Sequence, residues 1–117
     1  MKQYYKKLHL SSDGSKIENI THRIKDIVFK SEIKNGIVNV SILNTTASLI
    51  IQENADPDVL RDLQTFYGKL VPMNGDYVHS SEGVDDMPAH IKSTLTNSNL
   101  TLSVLAVSYT HLRAHET

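Results

Sequence analysis

Apolar positions along the chain change period several times, and each change marks an element. Ile17, Ile20, Ile24, Ile27 and Val28 recur at three- and four-residue spacing, the period of a helix that buries one face. Asn19 or Thr21 can accept from the first free N–H groups and Lys34-Asn35-Gly36 supplies a stop, so a helix is predicted over residues 20–32. In GIVNVSIL, from Gly36, the side chains of Val38, Val40 and Ile42 share one face, and Ile37 and Leu43 share the other with Asn39 and Ser41. That pattern predicts an interior strand. ASLIIQ, with Leu49 and Ile51 opposite Ile50, predicts a second strand close behind, and the partial alternation of Tyr4, Tyr5, Leu8 and Leu10 predicts another over residues 2–10. Asp56-Pro57-Asp58 combines a cap, a first-turn proline and a favourable acid, and the stripe Val59, Leu60, Leu63, Phe66, Tyr67, Leu70 follows until Pro72. Beyond a loop with its bend at Asn74-Gly75 and apolar pins at Tyr77 and Val78, Asp85 or Asp86 is expected to cap a short helix with Met87, Ile91 and Leu95 inward. Leu100, Leu102 and Val104 close the pattern as a strand. The order predicts a single small α+β domain, a mixed or antiparallel sheet packed with two to three helices.

Composition narrows the partners. At 117 residues the chain holds one hydrophobic core, and twelve basic against thirteen acidic residues leave a net charge of -1, so no field draws it to nucleic acid or to a membrane surface. With no cysteine, disulfides, thiolate metal sites and cysteine nucleophiles are excluded. No stretch approaches the roughly 20 apolar residues of a membrane span, and the expected location is the cytoplasm. Val107 to Thr117 reads VSYTHLRAHET, which resembles the translated transposon end and adapter of a sequencing library. Residues 107–117 are therefore expected to be a non-native tail behind a domain over 1–106, which removes His111 and His115 from consideration. The alternating run that the tail interrupts leads us to expect further strands in the natural chain.

Familiar phosphate-binding, nucleophile-elbow and zinc-protease motifs are absent. The polar cluster is HSSEGVDDMPAHIK, from His79 to Lys92. Imidazoles at His79 and His90 can converge on one ion from a loop and a helix, with Asp86, four residues before His90, orienting it. On local pattern alone the plainer alternative is favoured: His79 exposed in a loop and Asp86 capping the helix beside His90. Glu53 stands where a strand meets a helix start and is free to act as ligand or base, whereas Asp56 is a cap. Hydroxyls of Thr45, Thr46 and Ser48 can meet a phosphate or simply bond local backbone.

Three ordered motifs, ENADPDVLRDL, the Tyr77-Val78-His79 loop and EGVDDMPAHIKSTL, resemble the YjbQ family, also described as secondary thiamine-phosphate synthase enzymes. The resemblance implies a small α+β domain forming a homotrimer, with clustered histidines that hold a divalent metal ion, zinc, magnesium or manganese. It also implies a small-molecule substrate such as a phosphorylated heterocycle. By position His79 and His90 match two of the family's histidines, Glu53 and Asp56 its acids, and Asp86 its D-M-P aspartate; Glu53 and Asp86 become the candidate catalytic residues. Asn44 stands where the family usually has a third histidine, a weak ligand for zinc and a better one for magnesium or manganese. The family's G-T-W-Q and E-H-R segments do not occur in this chain, which is therefore expected to be unstable or aggregated as written.

Overall fold

A computed structural model describes residues 1–11, 16–53 and 55–105. The expected tail lies outside the described residues. The elements are α1 (Thr21–Ser31), β1 (Gly36–Ser41), α2 (Pro57–Leu70), α3 (Asp86–Leu95) and β2 (Asn99–Val104). The fold is α+β, three helices with a two-stranded antiparallel sheet.

Local chemistry sets the helix ends. Asn19 Oδ1 accepts from the Thr21 N–H at 2.9 Å, and Asp56 Oδ1 accepts from the Asp58 N–H at 2.9 Å with Pro57 opening α2, each satisfying a donor that the first turn leaves without a helical partner. α1 stops before the expected glycine. Glu32 takes the left-handed conformation at φ 61° and returns its N–H to the Phe29 carbonyl, while Ser31, buried, donates its hydroxyl to the Val28 carbonyl at 2.6 Å and accepts from the Ile33 N–H. α2 runs through Gly68 and ends two residues before Pro72, since proline cannot continue the backbone ladder.

β1 and β2 pair in a register that sets Gly36 opposite Val104, Val38 opposite Leu102 and Val40 opposite Leu100. Val38, Val40, Leu100 and Leu102 are half-buried on one face and Val104 is fully buried. On the other face Asn39 donates its side-chain amide to Thr101 Oγ1. A single bridge, Leu49 with Asn97, extends this association. The segment around it is tied to the end of α3 by Ser48–Thr96 and Ser93–Ala47 hydrogen bonds.

Several expectations for strands do not hold. Residues 2–10 join no ladder; they run along α1, with Lys2 paired to Glu32 at 3.9 Å, and Tyr5 is 83% exposed. ASLIIQ contributes only the Leu49 bridge. β1, expected to be interior, has β2 as its one strand neighbour among the described residues. Alternation shows that a segment can pleat, but a strand exists only where a partner offers its backbone groups. The core is correspondingly thin: Val28, Val71 and Val104 are buried with Pro88, whereas Phe66, Leu70 and Leu95, read as core stripe positions, remain more than half exposed.

Candidate metal centre

The loop between α2 and α3 delivers His79. Its first half is held by the Tyr77 hydroxyl, which donates to the Pro72 carbonyl at 2.6 Å. Gly75 lies against the Tyr77 ring so closely that an added Cβ would stand 2.7 Å from it, so Asn74-Gly75 bends as expected for a steric reason. Val78, expected to pin the loop, is fully exposed instead. Gly83 has φ 111°, a conformation that side chains oppose, and there the chain turns to enter α3.

Neither aspartate caps α3 through its side chain. Asp85, the residue before the helix, makes no cap hydrogen bond. Asp86 is the first helical residue, so its carboxylate faces along the helix toward position 90 rather than back onto the free N–H groups. Asp86 Oδ2 stands 2.7 Å from His79 Nε2 and 3.2 Å from His90 Nε2. The imidazole rings meet edge to face with centroids 5.6 Å apart and an interplanar angle of 76°. Asp86 is the most covered of the three, its side chain 17% exposed against 41% for His79 and 31% for His90.

One ligand atom from each residue lies within 4.8 Å of the other two. Donor atoms around a tetrahedral ion with bonds of about 2.0–2.1 Å sit roughly 3.3 Å apart, so two of the contacts already have the needed scale. Two imidazoles and one carboxylate form a mixed nitrogen and oxygen set that leaves coordination positions open. Without an ion, His79 donates to the carboxylate in the tautomer that carries its proton on Nε2, while His90 Nε2 stands beside the same oxygen; an ion would take the place of that proton.

The remaining candidates do not join this geometry through a hydrogen bond. Asn44 is exposed and its Oδ1 accepts from the Thr46 N–H at 3.0 Å, an arrangement local to its own turn. Glu53 is exposed and makes no hydrogen bond or ion pair with another described residue. Thr46 serves the Asn44 turn. Ser48 bonds Thr96. Sequence reasoning placed Asp86 behind His90 as an orienting group; its direct approach to His79 depends on the path of the loop, and only the four-residue spacing to His90 announced any part of it.

A family model described as UPF0047 protein YjbQ-like matches residues 6–110. The chain belongs to the YjbQ/UPF0047 family. This YjbQ-like chain is 48% identical over 99 residues to a UPF0047 protein of Synechocystis sp., covering 84% of this chain and 67% of that one. It is 37% identical over 102 residues to the UPF0047 protein YjbQ of Escherichia coli, covering 86% and 74%. Among solved structures, an uncharacterized conserved protein of the YjbQ/UPF0047 family from Clostridium acetobutylicum superposes with a TM-score of 0.71 at 36% identity, covering 86% of this chain and 75% of that one. A conserved hypothetical protein of Thermus thermophilus gives a TM-score of 0.70 at 29% identity, covering 82% and 72%.

Proposed function

We propose that this YjbQ-family protein binds one divalent metal ion through His79, Asp86 and His90 and acts there on a small phosphorylated heterocycle, in the manner of a thiamine-phosphate synthase. The observation that carries the reading is the convergence of both Nε2 atoms on Asp86 Oδ2. One imidazole comes from a loop and the other from a helix, and the same carboxylate oxygen lies beside both. Zinc, manganese or magnesium are the ions considered, with the two imidazoles favouring the first two. Such an ion supplies stabilisation for negative charge developing on a phosphate or a leaving diphosphate. His79 and His90 hold position, Asp86 lowers the charge of the site by one, and Glu53, ahead of α2, is the acid assigned as a base.

A second reading has a specific observation behind it. Asn44, in place of the family's usual histidine, is engaged with Thr46, which fits a homotrimeric protein that binds a metal or small ligand without turning it over. Asn44→His separates the two: turnover of a pyrimidine diphosphate with a thiazole phosphate, rising along with metal content, supports the enzyme, and higher metal content with no turnover supports the binder. The metal assignment itself is tested by elemental analysis of purified protein after dialysis. His79→Ala is expected to reduce bound metal from stoichiometric to a trace; stoichiometric metal in that variant refutes the site.

A further inference from the structure

The N-terminal segment lies antiparallel along α1. Lys2 pairs with Glu32 near the end of the helix, and Lys6 and Leu8 face its beginning across an open groove of about 460 Å³, whose other walls are His22, Arg23, Asp26 and Ile27. Leu8 and Ile27 are half-buried; the charged residues are exposed. The volume lies within the range of small-molecule sites.

The charge of the groove is lopsided. Asp26 is its one carboxylate, and that carboxylate is already bound to Lys30 Nζ at 2.9 Å. The hydrogen bond from Lys30 to Asp26, and then the attraction between their charges, raise the lysine pKa. No acid occupies the first turn of α1, the end where the helix dipole favours negative charge. Lys6 and Arg23 therefore face the groove with Asp26 already offset, and His22 adds a ring N–H. Arginine binds a phosphate through two parallel N–H groups and lysine acts as a point charge, while Leu8 and Ile27 offer an apolar wall.

We infer that this groove is a second ligand site, for a small phosphate monoester with an apolar body, read by Lys6, His22 and Arg23 for the phosphate and by Leu8 and Ile27 for the body. It shares no residue with the His79–Asp86–His90 cluster, and its test is independent of that cluster.

Phenyl phosphate is the probe, titrated into isotope-labelled protein and followed by amide shifts, with inorganic phosphate and phenol alongside. Saturable shifts at residues 6–8 and 22–27 are expected, with phenyl phosphate binding at least tenfold tighter than inorganic phosphate and phenol not binding. Lys6→Gln combined with Arg23→Gln is expected to weaken phenyl phosphate at least tenfold. Both side chains are exposed, and an unchanged circular dichroism spectrum verifies the fold. Asp26→Asn, which removes the groove's negative charge, is expected to tighten binding severalfold and needs no loss of function to be informative. Equal affinity in the Lys6 and Arg23 double variant, weaker binding in Asp26→Asn, equal affinity for inorganic phosphate, or shifts centred on His79 and His90 and abolished by Asp86→Asn would each overturn the assignment.

Discussion

A single carboxylate oxygen, Asp86 Oδ2, lies within hydrogen-bond distance of two imidazoles, so its charge and both of its neighbours change together when it is altered. Asp86→Asn keeps the size of the side chain and removes the anion. It is expected to lower affinity for zinc or manganese by more than about tenfold, since even groups that only support a ligand contribute 10- to 100-fold. Calorimetric titration of the metal-stripped protein measures this, and an affinity within twofold of the parent would show that the carboxylate is not a ligand. At this scale the sequence was partly legible. The spacing of Asp86 and His90 places them on one helical face by backbone geometry alone. His79 joins them through a seven-residue path that includes Gly83 at positive φ, and no pattern of residue types specifies where such a path ends.

Helices and strands differ in how much of their cause is local. α1 and α2 appear within a residue or two of their expected bounds because periodicity, a capping side chain and a proline at the right place act within a few residues. The exception is the end of α1, where Glu32 rather than a glycine adopts the left-handed conformation, which costs a residue with a side chain roughly 1 kcal/mol. Glu32→Gly is expected to raise stability by about 0.5–1 kcal/mol, visible as a higher urea midpoint with an unchanged slope. The exposed contact of Glu32 with Lys2, 3.9 Å long, is too open to offset the gain; a lower midpoint would show that this contact outweighs the backbone strain. β1 and β2 were legible because their alternation is strict and their faces match. Residues 2–10 and 47–52 also place apolar side chains at partly alternating positions and form no ladder, because pairing depends on a partner edge that such a pattern does not supply.

For the molecule as a whole, the apolar core among the described residues is small, with Val28, Val71, Val104 and Pro88 buried. Ile37 and Leu43 are 72% and 75% exposed, in and just beyond a strand that has one neighbour among the described residues. Open strand edges beside apolar side chains favour association. The chain is expected to elute above monomer mass in light-scattering chromatography, with a mass that grows with concentration, and Ile37→Lys with Leu43→Lys to shift it toward monomer; a concentration-independent monomer in the parent would contradict this. Among the described residues no helix is long and apolar enough to cross a membrane. The sequence by itself determined the α+β class, the three helices, the strands at Gly36 and Asn99 and, through its motifs, the YjbQ resemblance, all of which follow from interactions a few residues long or from strict periodicity. Tertiary structure alone decided which apolar faces are covered, that residues 2–10 flank α1, and that His79 reaches Asp86. Each of these depends on where distant segments meet, and the free energy of such a meeting belongs to both partners and is written in neither.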